Sequence, residues 1–464
     1  MLATGETGVA IRQNPLALAM GRMSNFQIGK AVIKHASQAP GLNLEKNVSD
    51  ISFRELDNSV NSTTGDLFGL AKYPAKFIPQ VVDFAIERSG VERGVTDPFA
   101  GVGTVALASH LYHVDSELWD INPLMRHFQQ AHQLALNSAG VSLLDVAQSI
   151  ERRLRQATES EYGISVAPDS IVYLSSWYHS EIFEIIKTWW WIVYEQSNDL
   201  EQSVLLAPLI RVSNKWSYND LQRQKLSRSK HKHQLIEAWI GSRDWRDRLL
   251  DELVRGVKDT AGRYVRHKER APWPYNPCVR IMDIDGAKPP SGLGDVVISS
   301  PPYLRAQEYL RSSKLSLLWL GHTKDEIRQR QRLEIPYGKV LEEQKVISDT
   351  FECTLDFFDQ QKDQDAINVL RSYFSNVVAL LERASVNANE MYLFVGSASL
   401  HGISIPLDEI FVEHFAQGSA WTHEGTLRDH IVGKTLFKTA VNPATGRPDK
   451  RISTEQLVML KRKG

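Results

Sequence analysis

The stretch that decides the fold is Val-Val-Ile-Ser-Ser-Pro-Pro-Tyr, residues 296–303. Its β-branched apolar run reads as a strand buried on both faces, as in a parallel sheet. The run stops at Ser300, and Pro301 and Pro302 then bar both helix and further central strand. A hydroxyl, a rigid turn and the ring of Tyr303 are left at the carboxyl end of a strand, where open α/β sheets hold their ligands. Two readings stay open here. One is an ordinary proline turn. The other is a pocket for a flat polar group, with Tyr303 as a stacking face and Ser300 and a proline carbonyl as hydrogen-bond acceptors.

Upstream, Val-Thr-Asp-Pro-Phe-Ala-Gly-Val-Gly-Thr-Val-Ala at 95–106 predicts a strand ending near Asp97, a glycine turn, and a helix from Val105. Gly101 and Gly103 allow the backbone to approach a ligand closely. With Ala106 the turn reads G-x-G-x-x-A, a pattern easily met by chance, and no Gly-Lys-[Ser/Thr] follows to make a phosphate-binding P-loop. Next, Leu-Trp-Asp-Ile-Asn-Pro at 118–123 puts Asp120 at the end of a second strand. An acid there takes ribose hydroxyls in nucleoside-binding α/β folds. Ahead of the glycine turn, the basic and aromatic loop 72–79 leads into a helix with Pro79 in its first turn. Such a junction is either plain connection or a holder of a small anionic group.

With 464 residues, 42% of them hydrophobic, the chain can bury a large core as two domains or as one domain with a big insertion. A formal charge of -1 gives no global sign of a polyanion partner, so charge has to be read region by region. The two cysteines, Cys278 and Cys353, form no CxxC pair, which fits a reducing compartment without a disulfide framework or structural zinc. Residues 1–23 lack a signal-peptide pattern, and no apolar run nears the roughly 20 residues of a membrane span. The expectation is a soluble cytoplasmic protein with no membrane partner.

Residues 1–65 read as an irregular or partly helical arm. Residues 126–275 form a helical, aromatic insertion in which the tryptophans at 189–191 belong to a buried helix. Within it, Arg211, Lys215, Arg223, Lys225, Arg228, Lys230 and Lys232 stand against one acid, Asp220, and a second cluster holds Arg263, Arg266, His267, Lys268 and Arg270. A charge run is either a solvated face or a polyanion surface; two of them in one insertion of a neutral chain favour the surface. After the insertion, residues 279–283 predict another strand ending in an acid, Asp283. Helices are expected at 309–320, 367–383 and 405–415, a strand at 391–396, and a closing strand pair within 421–437.

Tyr-Pro-Ala-Lys-Phe at 73–77, Asp-Pro-Phe-Ala-Gly-Val-Gly-Thr at 97–104 and Ser-Pro-Pro-Tyr at 300–303, in that order, resemble the motifs of S-adenosylmethionine-dependent DNA amino-methyltransferases. The likeness covers roughly residues 70–125 and 280–440. It implies an α/β fold, a Rossmann-like, mostly parallel sheet of the class I methyltransferase kind with a large helical insertion. It divides the chain into an arm (1–65), a cofactor-binding part (66–125), an insertion for target recognition (126–275) and a methyl-transfer part (276–464). By the same likeness, Asp97, Phe99, Gly101, Gly103 and Thr104 would line S-adenosyl-L-methionine. Asp120 would bind its ribose, Lys76 and Phe77 would sit near its methionine end, and Asp283 near its adenine. Ser300, Pro301, Pro302 and Tyr303 would hold the target amine of a base flipped out of the duplex, and no metal is implied.

Serine at the first catalytic position is typical of cytosine-N4 enzymes and aspartate of adenine-N6 enzymes, so a site-specific cytosine-N4 DNA methyltransferase is expected ahead of an adenine-N6 one. Double-stranded DNA is the implied partner, with a cognate restriction or defence nuclease as a second. One departure is that the strand carrying Asp283 follows the insertion, where the subgroup with the same motif order would place it before. Four other readings remain. An RNA methyltransferase shares the geometry. A carbon-5 cytosine enzyme would use Pro277 and Cys278, a nicotinamide dehydrogenase would use the glycine turn and Asp120, and a DNA-binding module would need no catalysis.

Overall fold

The computed structural model describes residues 48–56, 62–71, 77–157, 168–221, 226–271, 277–284, 291–304, 309–335, 344–418, 420–430 and 454–464. The strands are β1 (Val48–Ile51), β2 (Val95–Asp97), β3 (Ser116–Asp120), β4 (Val279–Asp283), β5 (Val296–Ser299), β6 (Glu390–Gly396), β7 (Ala398–Leu400), β8 (Ile403–Ile405), β9 (Trp421–His430) and β10 (Thr454–Arg462). All but the β7–β8 hairpin join one sheet in the order β1-β9-β10-β6-β5-β2-β3-β4. From β4 to β6 the neighbours are parallel. β10 then runs antiparallel between β6 and β9, and β1 lies parallel to β9 at the edge. The mostly parallel α/β sheet expected from the sequence is present.

The apolar strands are explained by burial on both faces. Val296 and Ile298 of β5 point to one core with Tyr392 and Phe394 of β6, while Val297 points to the other with Met391, Leu393 and Val395. The first core is covered by α1 (Pro79–Ser89), α2 (Thr104–Leu111) and α3 (Pro123–Asn137). Proline at the first turn starts α1 and α3, and the Asn122 side chain accepts the Leu124 N–H at the head of α3.

The insertion continues that same core. It contributes α4 (Leu143–Gln156), α5 (Pro168–Ser175), α6 (Ser180–Trp191), α7 (Asp199–Lys215), α8 (Lys230–Ile240) and α9 (Trp245–Arg270). After the Ser-Pro-Pro-Tyr turn come α10 (Tyr309–Trp319) and α11 (Lys324–Gln331). Trp190 of α6 stacks on Trp319 of α10 at 5.8 Å and 4°, and both are fully buried, so the tryptophans are core as expected. Truncating either to alanine would cost about 3–5 kcal/mol. Asn214 Nδ2 donates to Ser316 Oγ, and the Tyr194 hydroxyl to the Trp319 carbonyl. The opposite core is covered by α12 (Asp349–Gln360), α13 (Gln364–Ala384) and α14 (Leu407–Gly418).

Two expectations need correction. The 1–65 segment is not wholly irregular or helical: β1 adds a strand to the sheet edge, and Arg54 beside it pairs with Asp429 of β9 at 2.8 Å. Four half-exposed residues carry too little alternation to show a strand. The expected strand pair within 421–437 is a single strand, β9, over its described residues 421–430, and β9 pairs with β10; residues 431–437 lie outside the described residues. β10 lies on the far side of residues 431–453, which are outside the described residues, so no tight-turn signal joins the pair.

Where α2, α3 and α9 meet, His110, His132 and His267 are buried, and His132 Nδ1 lies 2.9 Å from the Tyr264 hydroxyl. Burial, with His113 and Lys268 nearby, pushes His110 down to about 4, and burial beside His110 drives His267 well below the usual imidazole range. Unfolding returns both to ordinary values near 6.5. Between pH 6.5 and 4 the unfolded chain therefore binds protons that the folded chain refuses, and stability falls as the pH is lowered. His110→Gln is expected to flatten that fall by up to about 3 kcal/mol over the window. Urea midpoints at pH 7, 5.5 and 4.5 for both proteins check this; parallel curves would refute it.

Candidate active site at the carboxyl edge of the sheet

Parallel register brings the motif residues together. β2 pairs with β5 through Val95 and Val296, β3 with β4 through Asp120 and Asp283, and β5 with β6 through Ser299 and Leu393. Asp97, Asp120, Asp283 and the Ser-Pro-Pro-Tyr turn therefore all stand at one edge.

The glycine turn is held from below by the two strand-end acids. Asp97 Oδ1 accepts the Ser299 hydroxyl at 2.5 Å and the Phe99 N–H at 3.1 Å, which ties the turn to β5. Asp120 accepts the N–H groups of Gly101 and Asn122, both at 2.7 Å. Gln129 of α3 donates to the Gly101 carbonyl at 2.7 Å. Gly101 has φ +51°, and a β-carbon there would meet no atom within 4 Å. The backbone conformation requires glycine, and the space beside it is open to a ligand. Gly103 caps α2 with φ +84°, and Thr104, buried, is its first helical residue. Phe99 is half-buried against the second core. Burial raises both Asp97 and Asp120 to about 7, against the lowering effect of the hydrogen bonds they accept.

Asp283 is held in an ion-pair network. Both Arg330 guanidinium nitrogens reach it at 2.9 Å and Arg126 reaches it at 2.6 Å. Arg330 also donates to the Ile121 carbonyl at 3.2 Å. α11 is thereby latched across the ends of β3 and β4, and the carboxylate is neutralised from two sides. Phe77 stacks on Phe394 at 5.8 Å, and Phe394 in turn packs edge-on to Phe53. Lys76 and the rest of loop 72–76 lie outside the described residues.

The Ser-Pro-Pro-Tyr turn is anchored by residues that carry no local sequence signal. Ser300 is half-buried and Pro301 buried. The Pro302 carbonyl accepts the Tyr373 hydroxyl of α13 at 2.7 Å. The Tyr303 hydroxyl donates to Glu455 of β10 at 2.7 Å, and burial with that carboxylate pushes the phenol far above its ordinary range. The Tyr303 ring rests on Gly396 at the end of β6, where a β-carbon would come within 2.9 Å of the ring. Glu455 is 152 residues from Tyr303, and only the fold joins them. Arg330, likewise, belongs to no sequence motif that links it to Asp283.

Gly396→Ala should therefore push the Tyr303 ring aside while leaving the glycine turn untouched. If the turn holds a ring-bearing substrate, as the motif resemblance implies, the KM for that substrate should rise about tenfold, from a displaced contact, with affinity for a ligand at the glycine turn unchanged. Steady-state kinetics beside calorimetry check it; a shifted cofactor Kd with unchanged KM would refute it.

Most cations of the insertion have partners inside the fold. Lys232 is buried and donates to the Lys215 carbonyl, closing the end of α7, with Trp239 5.0 Å away. Lys215 pairs with Glu252 at 2.7 Å. Arg228 lies over Trp177 at 4.6 Å and donates to Ser176. Arg266 pairs with Asp66 at 3.3 Å, and Lys268 donates to the Ser138 carbonyl. Arg211 is half-buried and Lys230 exposed; Arg223 and Lys225 lie outside the described residues. The second cluster latches residues 62–70 and the end of α3 onto α9.

Among the described residues no group of acids, histidines and cysteines is arranged to hold a metal, and no helix is long and apolar enough to cross a membrane. Compared with protein-family models, curated proteins and solved structures, the chain matches none.

Proposed function

We propose that the chain is an S-adenosylmethionine-dependent DNA amino-methyltransferase that modifies the N4 amine of cytosine. The observation that carries this reading is the Ser299–Asp97 hydrogen bond of 2.5 Å, which couples the glycine turn to the Ser-Pro-Pro-Tyr turn on adjacent strands. The sheet order supports it. Five parallel strands followed by a strand reversed between its neighbours is the arrangement expected of the class I methyltransferase fold, with β4-β3-β2-β5-β6-β10-β9 in its sequence of positions.

The residues fit the cofactor. The open face of Gly101 leaves room for a flat ligand along the turn, and each Asp120 oxygen has a lone pair beyond the one used on the backbone. Asp120 would take the ribose hydroxyls, and Phe99 and the glycine backbone would flank the ligand. When bound, S-adenosylmethionine would supply an activated methyl group on a sulfonium. The protein's part is positioning. An exocyclic amine conjugated to a ring is a poor nucleophile. Its two N–H groups, donated to Ser300 Oγ and the Pro301 carbonyl, draw the lone pair out of conjugation and fix its direction. Tyr303, pinned by Glu455 and supported by Gly396, offers its ring to the flipped base. The proton shed by the amine passes by way of the Ser300 hydroxyl to water.

Among the described residues no histidine–acid pair is hydrogen-bonded to Ser300 to make it a nucleophile. Cys278, the only cysteine preceded by proline, lies before β4 at the opposite, amino end of the sheet, where its carbonyl accepts the Ser116 N–H. That position disfavours carbon-5 chemistry. The test is incubation with methyl-tritiated S-adenosylmethionine and duplex DNA, nucleoside analysis of the product, and methylation-sensitive sequencing of DNA from expressing cells. Label in N4-methylcytosine is expected. Label in N6-methyladenine would move the base, and label in RNA alone would overturn the DNA substrate.

A further inference from the structure

A groove of about 450 Å³ opens on the outer side of α10, lined by Tyr173 of α5, Arg311 and Lys314 of α10, Arg328 of α11, and Glu334 among others. It adjoins the candidate active site through one helix. On its inner side α10 meets the Asp120 strand end, where Asn122 Nδ2 donates to Ser313 Oγ at 3.2 Å; the next residue, Lys314, faces the groove. α10 also begins just beyond the catalytic turn, separated from it by residues 305–308.

The charges in the groove are organised rather than scattered. The Tyr173 ring carries the Lys314 ammonium at 4.8 Å and the Lys324 ammonium at 5.1 Å. Neither lysine has a carboxylate partner among the described residues. Of the acids nearby, Glu334 is buried and accepts the Leu310 N–H at the head of α10, and Glu326 caps its own helix by accepting the Thr323 N–H. Asp325 pairs with Arg328 at 3.2 Å, but both side chains are largely exposed, and such pairs hold little charge back from a ligand. Lys314 in the groove and Lys324, which shares the Tyr173 ring at its edge, present two fixed cations, with Arg328 beside them, to a partner whose anionic groups are regularly spaced.

We propose that this groove, rather than the basic runs of the insertion, binds the phosphodiester backbone of the duplex that flanks the target base. The proposal rests on the reading of the chain as a DNA methyltransferase only for the identity of the strand. Phosphate contacts of this kind set register and orientation without reading sequence. They would hold the duplex against the mouth of the site, while base contacts come from elsewhere.

The experiment compares the full-length wild type with K314Q/K324Q and with R155Q/K258Q, binding a fluorescein-labelled 24-base-pair duplex by anisotropy across a salt series. The control pair removes the same charge from the surface around Glu151 on α4 and α9. Cofactor binding by calorimetry checks that each variant folds. For K314Q/K324Q the slope of log K against log salt should become shallower by about 2, one for each lost phosphate contact. At 0.1 M salt the affinity should fall at least tenfold, and R155Q/K258Q should match wild type. An unchanged slope in K314Q/K324Q, an equal change in the control, or no duplex binding by wild type would overturn the groove. Groove-dependent duplex binding without methyl transfer to any nucleic acid would instead overturn the enzymatic reading and leave the groove standing.

Discussion

Ser300→Ala is expected to lower kcat for methyl transfer about 100-fold, the usual loss when one preorganised hydrogen-bonding group at a reacting centre is removed. Ser300 is half-buried directly after Ser299, whose own hydroxyl is committed to Asp97, so a neighbouring serine cannot substitute for it. The substitution removes one acceptor for the amine and leaves the Pro301 carbonyl, the turn and the Tyr303–Glu455 bond in place. Cofactor Kd and duplex affinity should therefore stay within twofold of wild type. Single-turnover kinetics with labelled S-adenosylmethionine separate these quantities. An unchanged kcat would mean that the hydroxyl does not face the amine.

Asp120→Asn is expected to act on the other half of the site. It replaces the carboxyl, ionised only above about pH 7, that would accept the ribose hydroxyls, and weakens the hold on Gly101 and Asn122. Hydrogen bonds to a charged acceptor are each worth about 1.5–3 kcal/mol, so cofactor Kd should rise on the order of 100-fold. A pH signature accompanies it. Burial keeps the Asp120 carboxyl protonated up to about 7. In its neutral form it is a poorer acceptor, so the wild type should bind the cofactor more tightly as the pH rises from 6 to 8. The folded state gives up some stability over the same interval. A group whose folded value lies above its unfolded one stabilises at low pH, and that contribution is lost on passing the folded value. Calorimetry at three pH values checks the affinity trend; Asp120→Asn should abolish it, and a trend that survives the substitution would assign it elsewhere.

The sheet core was legible because it depends on local pattern. Val296, Val297 and Ile298 are apolar in succession because each face of β5 is buried. The glycine turn and Asp120 were legible because their spacing is a short-range property of one strand–turn–helix–strand unit. Tyr373, Gly396 and Glu455 were not, although they fix the catalytic turn. They arrive from α13, β6 and β10, and no spacing links them to Tyr303 before the chain is folded. The basic runs show the converse limit. Lys232 and Lys268 look in sequence like a polyanion surface, yet each satisfies a helix-end carbonyl in the interior of the insertion. Composition counts charges without showing which are already paired, whereas Lys314 and Lys324 sit apart in sequence and only converge on Tyr173 in space.

The placement of β10 between β6 and β9 has a consequence for the order of assembly. During synthesis, at about 5–20 residues per second, β2 through β6 can pair while the rest of the chain is still emerging. β9, even with β1 beside it, then has no link to β6, because the strand that joins them is residues 454–462, made later. β1, among the first strands made, waits longest, since its partner β9 is docked only once β10 has entered. Such distant pairings are the slow part of folding. Glu455 arrives with that last strand, so the hydroxyl of Tyr303 acquires its acceptor only when the sheet is completed. The nascent chain would thus hold a cofactor turn well before it holds a finished clamp, and competence to modify a base would switch on at the end of folding.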